Sequence, residues 1–144
     1  MIENERDVIV AEDDHDDYLF FETAIKESAI PVIIRHAENG DVLFVLLKEK
    51  IPQLLFLDIH MPCKDGISCI KEIRKLKEYD NMPVIMFTSD IYHKTIEDCY
   101  RNGANFYMVK PDTFSKLADS LRKVFSLDWS GSMHYPPMNQ FVLK

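Results

Sequence analysis

Short apolar runs alternate along this chain with longer stretches in which apolar residues recur at helical spacing. The runs are four or five residues long, which is typical of strands buried on both faces of a parallel sheet. The longer stretches carry one apolar face each, which is typical of helices packed on such a sheet. The pattern predicts five strands at residues 8–11, 32–35, 54–58, 84–88 and 105–109, and five helices at residues 16–28, 42–50, 67–78, 93–102 and 114–127. We therefore expect an α/β fold with a doubly wound, five-stranded parallel sheet.

The pattern ends near residue 128, which divides the chain into two unequal parts. Its 144 residues, 47% of them hydrophobic, suffice for one well-packed domain, which we predict at residues 6–128. Residues 129–144 contain two prolines and no clear periodicity, and we expect them to form a mobile C-terminal tail. Their apolar residues could instead dock on the domain or on a partner.

Charge and cysteine content exclude several classes of function. The formal net charge is −7 with no dense basic stretch, so we expect no binding to nucleic acid. The first residues are charged and lack the apolar core of a signal peptide, and no apolar run approaches the roughly 20 residues of a membrane span. Three cysteines without C-x-x-C spacing indicate neither a disulfide framework nor a zinc site. We expect a cytoplasmic, acidic domain that does not contact membranes.

Charged residues stand at the carboxyl ends of three predicted strands. Glu12 and Asp13 follow the first strand, Asp58 ends the third, and Lys110 follows the fifth. The carboxyl ends of strands form the edge where open α/β sheets bind ligands. Clustered carboxylates repel one another unless a cation joins them, and Mg²⁺ prefers oxygen ligands. The acids and the lysine together predict a site for a metal ion and a phosphoryl group.

These residues occur in an order and spacing that resemble the receiver domains of two-component response regulators. The resemblance covers about residues 6–128, and it rests on Glu12-Asp13, Asp58, Pro62, Gly66, Thr88-Ser89 and Lys110-Pro111. It implies a flavodoxin-like receiver fold with five helices and the strand order 2-1-3-4-5. More narrowly, the chain is similar to stand-alone receivers paired with bacterial phytochrome-type histidine kinases. This similarity rests on Glu12-Asp13-Asp14, on Trp129 just past the last helix, and on the few residues that follow, which are too few for an output domain.

The resemblance implies a role for each residue of the site. Asp58 would accept a phosphoryl group from a sensor histidine kinase or a histidine phosphotransfer protein. Asp13 and Asp58 would bind Mg²⁺ directly, Glu12 would bind it through water, and His60 would contribute its backbone carbonyl. The phosphoryl oxygens would be bound by Thr88, Ser89 and Lys110. Asp14, Asp16 and Asp17 are predicted only to favour a helix N-terminus.

The same resemblance predicts how the signal would leave the site. Thr88 and Tyr107 would form the switch, and a downstream protein partner would bind the face made by the fourth helix, fifth strand and fifth helix. A homodimer through this face is a further expectation. The peptide bond before Pro111 is expected to be cis, which proline permits at about 0.5–1 kcal/mol. His60 and Asp90 would flank the path of water to the phosphoryl group and affect its lifetime.

Two alternatives to a phosphorylated receiver stay open. A pseudo-receiver would bind partners without phosphorylation, although chains of this kind usually lose an acid or the lysine. An aspartyl-phosphate phosphatase for small phosphoesters would carry D-x-D at the nucleophile, whereas Ile59 and His60 follow Asp58 here. Of the three, we expect a receiver that catalyses only its own phosphorylation and dephosphorylation and is no enzyme in the turnover sense.

Overall fold

A computed structural model describes residues 5–129 and 135–143 of the protein. The strands are β1 (Arg6–Ala11), β2 (Val32–Ala37), β3 (Leu54–Leu57), β4 (Val84–Thr88), β5 (Phe106–Val109) and β6 (Val142–Leu143). The helices are α1 (His15–Ser28), α2 (Gly40–Glu49), α3 (Gly66–Lys75), α4 (His93–Arg101), α5 (Phe114–Ser126) and α6 (Met138–Phe141), with a turn of 3₁₀-helix at Lys77–Tyr79. Within these residues no helix combines the length and the apolar character that crossing a membrane requires.

The strands form one parallel sheet in the order β2-β1-β3-β4-β5-β6. The predicted α/β fold and the order of its first five strands are confirmed, with element ends shifted by a few residues. The predicted count of five strands and five helices is wrong, because the described residues form six of each. The order places β1 beside β3 in parallel, so the carboxyl ends of these two strands lie next to each other.

Alternate strand residues face two separate apolar layers. Val8 and Val10 of β1 face α1 and α5, whereas Ile9 and Ala11 face α2, α3 and α4. In the first layer the Phe21 ring lies edge-on to the rings of Phe56 in β3 and Phe87 in β4, at centroid distances of 5.0 and 5.4 Å. Both faces of the central strands are therefore buried, which explains their uninterrupted apolar sequences.

Side-chain caps begin α1, α3 and α5, which follow loops at the carboxyl edge of the sheet. Asp14 accepts a hydrogen bond from the Asp17 backbone N–H at 2.9 Å, and Asp65 accepts one from the Ser68 N–H at 2.8 Å. Thr113 does the same for α5 at 3.1 Å. These caps satisfy N–H groups that have no partner inside the helix, and they fix where each helix begins after its loop.

The C-terminal residues are docked on the domain. We call residues 135–143 the C-terminal arm. Phe141 is fully buried, and β6 continues the sheet by pairing Val142 with Tyr107 and Leu143 with Met108. The expectation of a mobile tail is therefore wrong for the arm, because Phe141 fills an apolar site that the domain offers. Residues 130–134 and 144 of the predicted tail lie outside the described residues.

Candidate functional site

Three carboxylates meet where β1 and β3 end. Oxygen atoms of Glu12, Asp13 and Asp58 all lie within 4.8 Å of one another. The pairing of β1 with β3 explains this cluster, because the Asp58 N–H donates to the Ala11 carbonyl at 3.0 Å and extends the ladder by one residue. Glu12 and Asp58 are buried, at 1% and 4% exposure, whereas Asp13 is exposed.

Lys110 brings a single positive charge into this cluster from the end of β5. Its backbone N–H donates to the Thr88 carbonyl at 2.8 Å. Its Nζ lies 2.6 Å from Glu12 Oε1, 2.8 Å from Asp17 Oδ2 and 3.0 Å from Asp58 Oδ2. Burial lowers the pKa of Lys110, but hydrogen bonds and charge from the three acids outweigh it, so the pKa is raised. The lysine therefore stays charged.

One lysine does not balance the negative charge of the site. Burial raises the pKa of Glu12; Lys110 opposes the shift and Asp58 adds to it. Glu12 Oε1 is buried, and the Lys110 ammonium 2.6 Å away is shared with Asp17 and Asp58. Several carboxylates around one ammonium leave negative charge that a second cation would offset. The donors are oxygen atoms only, which fits a hard ion such as Mg²⁺ and not a softer metal.

The loop after β3 fixes the direction of the Asp58 carboxylate. Asp58 Oδ1 accepts a hydrogen bond from the Ile59 N–H at 2.7 Å, while Oδ2 faces Lys110. The loop then turns back, so that the Gly66 N–H donates to the Ile59 carbonyl at 2.8 Å. A Cβ atom on Gly66 would lie 2.2 Å from the Asp58 carbonyl oxygen. Only glycine allows this close approach of two backbones.

A cavity of about 280 Å³ opens above Asp58. It is lined by Glu12, Asp13, Asp14, Asp17, Asp58, His60, Thr88, Ser89 and Lys110. The structure thus brings together every residue that the sequence predicted for the metal and phosphoryl sites. A larger cavity of about 690 Å³ contains none of them, because it lies beside Trp129 at the opposite end of the sheet. The charged groups of the predicted site thus line the smaller cavity.

Asp17 lies in this site, although its position in the sequence predicts only a role at a helix N-terminus. Its carboxylate is 46% exposed and forms an ion pair with Lys110 from the first turn of α1. A signal was available in the sequence, because Asp17 lies in the first turn of the helix that follows Glu12 and Asp13, and so stays near the carboxyl end of β1. The N-cap role falls to Asp14.

Tyr107 lies outside the cavity and is connected to it through Asp90. The Tyr107 ring is fully buried, and its hydroxyl donates to the Asp90 carbonyl oxygen at 2.6 Å. The Asp90 N–H faces Thr88 Oγ1 at 3.3 Å, and its carboxylate lies 2.9 Å from His60 Nε2. Burial raises the pKa of the Tyr107 hydroxyl. Asp90 therefore contacts two residues of the cavity wall and the predicted switch tyrosine.

The peptide bond between Lys110 and Pro111 is trans, so the predicted cis-proline at Pro111 is wrong. The trans form is the more stable one for a prolyl bond by about 0.5–1 kcal/mol. It already places Lys110 Nζ beside all three acids, so no contact of the site requires the cis form.

Comparisons with known proteins agree with this geometry. Residues 8–122 match the family model of the response regulator receiver domain. The chain is 38% identical over 87 residues to the Probable C4-dicarboxylate response regulator DctR of Bacillus subtilis strain 168. This match covers 60% of the chain but 38% of DctR, so the chain spans well under half of that relative.

Solved structures show the same fold at low sequence identity. The Mn²⁺-bound form of response regulator Rcp1 has a TM-score of 0.75 at 21% identity, covering 92% of this chain and 99% of Rcp1. The phosphorylated cyanobacterial phytochrome response regulator RcpA has a TM-score of 0.76 at 22% identity, covering 84% of this chain and 91% of RcpA.

Proposed function

The chain belongs to the family of response regulator receiver domains, and from this premise we propose that Asp58 accepts a phosphoryl group from a histidine kinase or a histidine phosphotransfer protein. Receiver domains of two-component systems interact with such donors, and phosphorylation and Mg²⁺ are typical of the family. The observation that carries the proposal is the buried Asp58 carboxylate at the base of an open cavity, 3.0 Å from Lys110 Nζ.

The chemistry is a transfer of the phosphoryl group to a carboxylate. An oxygen of Asp58 forms a bond to phosphorus while the bond to the donor breaks and its electron pair leaves with the donor. Such a transfer depends on alignment and on neutralising charge more than on acid–base catalysis. The Ile59 N–H orients Asp58, and Lys110 offers its charge to a phosphoryl oxygen. Thr88 and Ser89 line the cavity where the other oxygens would lie.

The acidic cluster would hold the ion that this transfer needs. We propose Asp13 and Asp58 as direct ligands, Glu12 as a ligand through water, and the backbone carbonyl of His60 as a further ligand. Mg²⁺ would supply positive charge against the phosphoryl oxygens and the carboxylates. The charge imbalance around Glu12 supports this assignment. Rcp1 in its Mn²⁺-bound form and RcpA in its phosphorylated form show that two proteins of this fold take these states.

We further propose that Thr88 and Tyr107 transmit the state of Asp58 to a downstream protein partner. The contacts of Asp90 with both residues support this pairing. The acidic charge of −7 argues against nucleic acid as the partner, and a homodimer stays a proposal. In this role the domain acts on itself without turnover of a substrate. Three free cysteines fit a reducing compartment such as the cytoplasm.

The test is the intact mass of the protein after incubation with acetyl phosphate and Mg²⁺. Wild type is expected to gain one base-labile phosphoryl group, and Asp58→Asn to gain none. Asp119→Asn is a matched control, because Asp119 is an exposed acid that pairs with Arg122 away from the cavity. It should be phosphorylated like wild type. An adduct that persists in Asp58→Asn would refute the assignment, and no adduct in wild type would favour binding without phosphorylation.

A further inference from the structure

The C-terminal arm docks on the α4–β5 side of the domain. The Tyr100 hydroxyl of α4 donates to the Pro136 carbonyl at 3.0 Å, and its ring lies edge-on to Phe141 at 5.0 Å. The strand β6 pairs with β5. The arm is therefore anchored by a hydrogen bond, by a short parallel ladder and by a buried aromatic ring.

Phe141 packs against the predicted switch tyrosine. The centroids of the Phe141 and Tyr107 rings lie 6.0 Å apart, and both side chains are fully buried in one apolar cluster. Val142, the next residue of the arm, pairs with the backbone of Tyr107. The arm thus holds Tyr107 by its ring and by its backbone, and undocking of the arm would expose the ring to solvent.

The opposite end of Tyr107 reaches the wall of the cavity above Asp58. Its hydroxyl is bound to the Asp90 carbonyl, and Asp90 is bound in turn to Thr88 and His60. Thr88 and His60 both line the cavity. A phosphoryl group on Asp58 would contact this wall and restrain the Asp90 loop. A restrained Asp90 carbonyl holds the Tyr107 hydroxyl more firmly, and the ring then offers Phe141 a fixed surface.

We propose that docking of the C-terminal arm is coupled to phosphorylation of Asp58, each favouring the other through the buried position of Tyr107. The inference rests on the proposed function, because it requires a phosphoryl group on Asp58. The coupling is reciprocal: a ligand that favours arm docking binds more tightly when the arm is docked. The arm becomes a regulatory element, because it covers the α4–β5 surface most tightly in the phosphorylated state.

Hydrogen exchange of the arm amides, followed by mass spectrometry, tests the coupling directly. Exchange over residues 138–143 is measured with and without acetyl phosphate and Mg²⁺, and the intact mass gives the phosphorylated fraction of the same sample. Phosphorylation is expected to slow exchange of the arm by roughly fivefold or more, the lower end of usual coupling between sites. Asp58→Asn should show no change when the donor is added.

Three variants separate coupling from simple docking. Tyr107→Phe keeps the ring but loses the hydrogen bond to Asp90, so the effect of phosphorylation on arm exchange should disappear. Phe141→Ala should raise arm exchange and weaken binding of beryllofluoride, a non-covalent phosphoryl analogue, by roughly fivefold or more. Tyr135→Ala is the matched control, because Tyr135 belongs to the arm and is half exposed. It should leave both measurements at their wild-type values.

The outcomes distinguish this inference from the proposed function. If wild type gains no phosphoryl group, both are wrong. If the phosphoryl group is gained but arm exchange is unchanged, the proposed function holds and the coupling is wrong. Equal beryllofluoride affinities of wild type and Phe141→Ala would likewise overturn the coupling.

Discussion

Replacing Gly66 by alanine should damage the proposed acceptor site without changing any charged group. The new Cβ would lie 2.2 Å from the Asp58 carbonyl oxygen and 2.8 Å from Ile59 Cα. A separation of 3.0 Å is the shortest that such contacts allow, so the two backbones must move apart by at least 0.8 Å. Neither contacted atom belongs to a flexible side chain, and the hydrogen bond from the Gly66 N–H to Ile59 would lengthen.

The expected cost of Gly66→Ala has two parts. Inserting a methyl group into a closely packed position destabilises the folded state by about 1–3 kcal/mol. Alanine's helix preference over glycine, at most about 1 kcal/mol, offsets part of this. The displacement also moves Asp58, and a misplacement of about 1 Å can slow a reaction about 10²-fold. We expect a lower urea midpoint and slower phosphorylation by acetyl phosphate.

Gly40→Ala is the matched control for this experiment. Gly40 is also the first residue of a helix, and its added Cβ would meet Lys64 Cβ at 2.8 Å, the Lys64 carbonyl oxygen at 3.1 Å and Cys69 Sγ at 3.2 Å, so the neighbours must move by about 0.2 Å rather than 0.8 Å. The control should lose less stability than Gly66→Ala, and it should be phosphorylated at the wild-type rate because none of its contacts involves Asp58. A wild-type midpoint and rate for Gly66→Ala, or an equal loss in Gly40→Ala, would show that the close approach at Gly66 does not position Asp58.

Three further predictions concern the charge, the metal and the thiols. Lys110→Met leaves buried acids without their cation, so the free energy of unfolding in urea should fall by about 3–5 kcal/mol; an unchanged midpoint would contradict this. Mg²⁺ at a hundredfold excess over its Kd should stabilise wild type by about 2.7 kcal/mol, reversed by EDTA, whereas Asp13→Asn should gain much less. Under native conditions at pH 8 a thiol reagent should modify the exposed Cys63 much faster than the buried Cys69 or Cys99. Burial raises the pKa of both buried thiols to about 12, so little of either is present as thiolate. Equal modification rates for all three cysteines would contradict this prediction.

The grouping of residues at the proposed acceptor site could be predicted from the sequence because these residues occupy strand ends. Asp58 follows a wholly apolar strand, and parallel strands bring all their carboxyl ends to one edge of the sheet. The distance of Asp58 from Lys110 is thus a consequence of topology, although 52 residues separate them in the chain. Asp17 was missed because an acid in the first turn of a helix has a sufficient local explanation.

The docked arm could not be predicted, because its structure depends on the surface that receives it. A four-residue helix and a two-residue strand carry too little periodicity to be recognised in a sequence with two prolines. What stabilises them is the site for Phe141 beside Tyr100 and Tyr107, which exists only in the folded domain. The peptide bond before Pro111 was expected to be cis from the resemblance to receiver domains. The ordinary preference of prolyl bonds for the trans form predicts what the structure has.

The two-residue strand β6 also determines how the sheet ends. An uncovered β5 would present backbone N–H and C=O groups at Tyr107 and Met108, and unpaired edges of this kind recruit strands from other chains. The arm occupies that edge and adds a strand too short to serve as a template itself. Each undocking of the arm opens the edge to strand addition by an extended peptide or by another copy. Truncation before the arm would therefore produce a protein that aggregates more readily, even where the domain itself remains folded.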